Sequence, residues 1–169
     1  PYQFTVVLKK PMDPSTAQNA ANYQIAKSGR ITRQYWTGIT GKAVTDLTGN
    51  SNYPNNPTGT EQIPKFETQL NLGDNYGQRF RGYYYPPASG TYYLAIASRN
   101  ASELWMDVDG DPATAAQKIA YVQPNDNVSQ YEFYKASGAY QRYGPVTLDA
   151  GRRYYIEALH KAGASGDGS

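Results

Sequence analysis

The chain has 169 residues, a net charge of +2 and no cysteine. That length suits one domain with a small appendage and a proper core. The missing thiol removes disulfides, thiolate chemistry and cysteine-based zinc sites; scattered Lys and Arg at so small a net charge argue against nucleic acid; no apolar run is long enough for a membrane span. A mean hydropathy of −0.72 together with 17 Tyr describes a core of tyrosine and aliphatics under a polar loop surface. The chain opens on Pro1 rather than Met, so it reads as a processed form or a piece of something longer.

Residues 2–9 alternate, with Tyr2, Phe4, Val6 and Leu8 against Gln3, Thr5, Val7 and Lys9, which predicts a strand. The phrase from Lys10 to Tyr23 resembles the opening of bacterial immunoglobulin-like repeats, but the further strands of such a repeat do not follow. Residues 1–28 are therefore read as an N-terminal strand and linker, the remnant or edge of an immunoglobulin-like domain. Residues 29–169 form the second unit.

In that unit a strand is predicted over 30–36, followed by breaks at Gly38 and Gly41. From Asn50 to Gly59 every residue suits a turn, so a long surface loop held by its own side chains is expected, with Tyr53 as its plug. The stretch from Arg79 to Asp107 is the centre of the chain. Phe80, Gly82 and Tyr84 alternate with Arg79, Arg81, Tyr83 and Tyr85, and Pro86 to Gly90 supply a hairpin turn. Tyr92, Leu94 and Ile96 then alternate with Tyr93, Ala95 and Ala97. Further strands are predicted at 103–107, 117–122, 145–148 and 153–160. Leu94, Ile96, Leu104, Ile156 and Leu159 are expected in the core. No helix beyond a turn or two is supported, so the fold class is all-β, an antiparallel sandwich or barrel with an extra N-terminal strand.

In order and spacing, Arg33 to Gly38, Gly73 to Gly77, Arg81 to Pro87, Ser89 to Tyr92, Ile96 to Ser98, Ser102 to Trp105 and Leu148 to Lys161 resemble the PA-fourteen domain. This β-sandwich is named for the anthrax protective antigen. The resemblance spans residue 29 to the C-terminus. It implies an extracellular or cell-surface module of a large bacterial protein, with glycan or neighbouring domains as partners. Calcium-dependent members place two consecutive aspartates after the Ile-Ala-Ser strand, where this chain has Arg99 and Asn100. A fixed cation and one neutral amide are poor ligands for a hard divalent ion, so no cofactor is expected and no metal at that pair. Family members also continue into one more strand. An edge left open beside 153–160 would invite strand addition by residues 2–9, within one molecule or between subunits.

Other groups are weighed on their own chemistry. Asp74, Asn75 and Tyr76 sit in a glycine-bounded loop and offer two polar groups and a ring to a saccharide, or simply fix the turn. Asp107, Asp109 and Asp111 hint at a calcium loop, but Pro112 and Lys118 stand where such a loop needs Gly and Glu. Tyr131, Tyr134, Tyr140 and Tyr143 are the tyrosines expected to be exposed. His160 has no evident nucleophile beside it, and Glu103 and Glu157 are not placed as a glycosidase pair by their spacing. Asn100 and Asn127 begin Asn-X-Ser sequons. The chain thus reads as a non-catalytic module for carbohydrate recognition or adhesion. The alternatives are a structural subunit of a surface layer or filament, and an accessory part of a glycoside hydrolase.

Overall fold

The computed structural model describes residues 30–68, 72–111, 114–126 and 139–164. The expected strand at 2–9, with Tyr131, Tyr134 and Asn127, lies outside the described residues. Among those described, the strands are β1 (Ile31–Thr37), β2 (Gly59–Ile63), β3 (Tyr76–Tyr84), β4 (Gly90–Ala95), β5 (Ser102–Met106), β6 (Gln117–Val122), β7 (Arg142–Leu148) and β8 (Tyr154–Ala162). One short helix, α1 (Val44–Thr48), follows β1. Six strands form a sheet in the order β2-β1-β3-β8-β5-β6, and β4 pairs with β7 in a second sheet. Every pairing is antiparallel. The all-β reading holds.

Register decides which residues share a face. Phe80 stands opposite Ala158, and Ala158 opposite Leu104, in one cross-strand row. That row belongs to the main core, where Phe80, Leu104, Met106, Leu148 and Tyr154 are buried and Tyr92, Leu94 and Val146 of the second sheet pack against them. The opposite face of the large sheet is covered only in part. There α1 and the loop behind it lay Val44, Leu47 and Tyr53 over Trp36 and Leu159. Trp36 donates its indole N–H to the Asn52 carbonyl at 3.1 Å, and its ring lies 5.1 Å from that of Tyr53. The expected plug is in place. Gly77 permits the approach, because a Cβ there would lie 2.6 Å from a Leu47 methyl group.

Three details differ from expectation. Strand β2 runs through residues read as loop margin; its Thr60, Glu61 and Gln62 are exposed on an edge, so no apolar alternation marks it. Leu94, Ile96 and Ile156 are only half-buried while Leu104 and Leu159 are buried, because two strands roof a six-stranded sheet incompletely. Finally, β8 has β3 on one side and β5 on the other. The strand at 153–160 is central, and the edge expected beside it for strand addition is already occupied.

Lys161, at the end of β8, is completely buried. Its ammonium donates to the carbonyls of Gly41 at 2.7 Å and Ala162 at 2.6 Å. It thereby ties the turn before α1 to the centre of the sheet. Burial lowers its pKa, and Asp46 opposes that shift.

Two outcomes follow. Leu104→Ala should cost about 2–5 kcal/mol, and Ile96→Ala about half of that because its site is half-exposed, both read from denaturant unfolding; equal losses would contradict the incomplete roof. Lys161 binds its proton less tightly folded than unfolded, so its contribution to stability rises with pH between its lowered folded pKa and about 10.5. Burial raises the hydroxyl pKa of Tyr53, Tyr84 and Tyr155, which acts in the opposite sense at alkaline pH but equally in wild type and Lys161→Met. The stability difference between those two proteins should therefore move in favour of lysine as the pH rises toward 10.5. A difference independent of pH throughout would refute the assignment.

Candidate functional site

Two of the sequence-derived candidate groups meet at one end of the large sheet. Asn75 precedes β3 with φ +53°, a left-handed conformation that Asn tolerates. Its carbonyl accepts from the Ile39 N–H at 2.8 Å, and its N–H donates to the Gly163 carbonyl at 3.1 Å. Asn100 is also left-handed, with φ +63°, and is buried. Its Oδ1 accepts the Gly163 N–H at 3.0 Å, its Nδ2 donates to the Pro124 carbonyl at 3.4 Å, and its own N–H reaches the Asp126 carbonyl at 3.1 Å. Gly163 therefore bridges the two loops, using its carbonyl for one and its N–H for the other.

His160 makes a second bridge. Tyr76 is buried and meets the imidazole edge-on at 5.9 Å. Arg33 Nε donates to Gln78 Oε1 at 2.7 Å, which orients that amide with its NH₂ toward His160 Nδ1, 3.0 Å away. Nδ1 then accepts, and Nε2–H donates to the Arg99 carbonyl at 3.0 Å. These partners assign a neutral imidazole with a structural task. Above this floor Asp74 is exposed, while Asn75 and Arg99 are half-buried.

The residues at 99 and 100 do not fit a calcium ion. Arg99 brings a positive charge, and the one amide oxygen of Asn100 is taken by Gly163. Among the described residues no three carboxylate or imidazole groups converge. Asn100 cannot serve as a glycan acceptor in the folded chain, since its amide nitrogen faces Pro124 in the interior.

Asp107, Asp109 and Asp111 lie in the turn after β5. Asp107 Oδ1 accepts the Gly110 N–H and Asp109 Oδ1 the Asp111 N–H, each at 2.9 Å. Burial pushes the Asp107 carboxyl up, whereas the Asp111 N–H holds that of Asp109 down. Glu103 accepts from the Trp105 indole and the Lys118 ammonium, both at 3.0 Å, and Glu157 from the Tyr155 hydroxyl. Tyr140 and Tyr143 are half-buried rather than exposed. Tyr140 stacks on Tyr121 at 4.6 Å and donates to Asp126, and Tyr143 packs against the main core.

Sequence reasoning found both loops but not their meeting point. Gly163 and the ordering role of His160 were missed, because the bonds they make join residues 61 or more positions apart and leave no local pattern.

Comparison with known proteins is consistent with this architecture. The sequence profile of the PA14 domain matches residues 26–162. The mouse protein N-acetyl-beta-glucosaminyl-glycoprotein 4-beta-N-acetylgalactosaminyltransferase 1 is 30% identical over 155 residues, which is 90% of this chain and 15% of that protein. Among solved structures, the A domain of epithelial adhesin 9 from Candida glabrata, in complex with Galb1-3GlcNAc, superposes with a TM-score of 0.50 at 10% identity, covering 82% of this chain and 79% of that chain. A β-glucosidase from Kluyveromyces marxianus in complex with glucose gives 0.46 at 11% identity, covering 80% of this chain and 14% of that chain.

Asn100 offers a direct test of the bridge. Asn100→Ala loses two buried side-chain hydrogen bonds and leaves an alanine at positive φ, which together should cost about 2–4 kcal/mol. Asn100→Gly relieves the backbone part and should cost about 1–2 kcal/mol less than alanine. Urea unfolding of both variants checks the order; equal costs would mean that the left-handed backbone plays no part.

Proposed function

Because the chain belongs to the PA14 domain family, we propose that it is a non-catalytic carbohydrate-binding module of an extracellular or cell-surface protein. Its glycan would meet the sheet end that carries Asp74, Asn75 and Arg99. The observation that carries the reading is the double bridge through Gly163 and His160. It holds two polar loops distant in sequence side by side, with Asp74 exposed and Arg99 half-exposed. Sugar hydroxyls both donate and accept, so loops carrying a carboxylate and a guanidinium suit them, and loops already held in place spare reorganisation on binding. Asn100 and Tyr76 act beneath the surface as positioning residues.

The carboxylates and the imidazole support a binding role over catalysis. Glu103 and Glu157 are engaged by neighbours on their own sheet, and His160 is neutral between two fixed partners. The adhesin's likeness contributes the fold alone. A second reading is favoured by the mouse glycosyltransferase: the chain is an accessory module beside a catalytic domain that acts on glycans, since it corresponds to 15% of that relative's length.

A glycan array with the isolated chain, with and without calcium, tests the first reading. Binding is expected without a calcium requirement, and Asp74→Ala with Arg99→Ala should weaken it about tenfold or more, in variants whose amide spectra show an intact fold. No binding to any glycan, or binding indifferent to both substitutions, would overturn the assignment of the site.

A further inference from the structure

The face of the large sheet that α1 leaves uncovered has its own chemistry. Across it Arg81 stands opposite Glu157, Glu157 opposite Trp105, and Trp105 opposite Lys118. One step along β3 and β8, Tyr83 stands opposite Tyr155, their rings 5.9 Å apart and edge to face. Beside this pair a cleft of about 240 Å³ opens, bordered by Asp107, Gly110, Thr114 and Arg153. It is remote from the Gly163 bridge, which lies at the opposite end of β8.

The cleft is polar and is bordered by charges of both signs. Asp107 receives the Gly110 N–H, and Glu157 receives the Tyr155 hydroxyl, so each nearby carboxylate has a hydrogen-bond partner within the fold. Arg153 is exposed, and its guanidinium lies 4.9 Å from the centre of the Tyr83 ring; among the described residues no carboxylate pairs with it. Arg152 lies over Gly110 at the rim and meets Asp149 only at 3.8 Å, on the surface, where such pairs contribute little. Tyr83 itself keeps 49% of its surface exposed.

We propose that this cleft binds a single pyranose ring bearing a carboxylate, with the ring against Tyr83 and the carboxylate on Arg153. The aromatic face is the negative part of the tyrosine quadrupole and attracts the positively polarised C–H bonds of a sugar ring. Arg presents a planar fork that matches a carboxylate with two parallel hydrogen bonds. The volume lies below the ~300–1,000 Å³ of pockets for drug-sized ligands, so one ring fits and the rest of a chain would leave over the exposed sheet face. The proposal shares its ligand class with the carbohydrate reading above but uses none of that site's residues.

The experiment is a titration of the folded chain followed by amide and side-chain NMR shifts, using methyl glucuronide, methyl glucoside and acetate in parallel. Methyl glucuronide should shift Thr114, Gly110 and the Tyr83 ring, with an affinity about tenfold above that of the glucoside. Arg153→Gln should erase that tenfold preference, and Tyr83→Ala should abolish binding of both sugars, with the spectra otherwise showing an intact fold. Equal binding of glucuronide and glucoside, the same shifts from acetate alone, retention of the preference in Arg153→Gln, or no shifts at all would each overturn the proposal. Asp74→Ala and Arg99→Ala should leave these titrations unchanged. If array binding falls in those variants while the cleft stays silent, only the cleft assignment fails.

Discussion

A line of hydrogen bonds crosses the large sheet from Arg33 through Gln78 and His160 to the Arg99 carbonyl. Gln78 is buried completely and His160 almost so, and buried polar groups of this kind are costly unless each finds its partner. Here the partners lie on β1, β3, β8 and the loop before β5. A slip of one residue in any of these pairings would turn a polar side chain to the wrong face and strand its neighbours. The line therefore fixes register across the middle of the sheet and the height of the Arg99 loop at once. Lys161 does the same for the turn before α1, with a cation satisfied by two carbonyls.

The sheet built on this line has two unlike faces. One meets the second sheet and is packed with Phe80, Leu104, Met106 and Tyr154. The other is apolar only where α1 and Tyr53 cover it; beyond them it carries Arg81, Tyr83, Trp105, Lys118, Tyr155 and Glu157 in cross-strand contact. Such rows stabilise a sheet by pairing aromatic and charged side chains, and they also leave a patterned surface that water alone need not occupy. Belonging to the PA14 family accounts for the fold. The chemistry of this face belongs to the chain's own residues.

Much of this was legible because it is local. Alternation from Arg79 to Tyr85 and the turn before 153–160 located the two central strands, and turn residues from Asn50 to Gly59 located the loop that Tyr53 anchors. The departure at Arg99 and Asn100 was visible as a change of ligand chemistry. What escaped were features set by distant partners. β2 carries Thr, Glu and Gln on an exposed edge and owes its existence to β1. α1 left only the i, i+3 pair Val44 and Leu47, too short a signal to separate from loop. Leu94 and Ile96 looked like core residues, yet their burial depends on how many strands stand beside theirs, which no period of two reveals. Gly163 gave no sign of joining two loops, since its role lies in its backbone.

The position of β8 has a consequence for how the domain comes into being. It is the last strand of those described, yet it lies between β3 and β5 and supplies both with their partner. A chain emerging from the ribosome would hold β1, β2 and β3 as one fragment and β5 with β6 as another, with no strand pairing between them among the described residues. Burial of Phe80 and Leu104 against Ala158 must wait for residues 154–162, as must the tie from Lys161 back to Gly41 across 120 positions. Contacts of such long sequence separation form slowly, because the intervening loop must be closed before any of them is rewarded. The pairing of β3 and β5 with β8 thus waits for the last of the described strands, and until it arrives both keep an open edge of the kind that invites wrong partners.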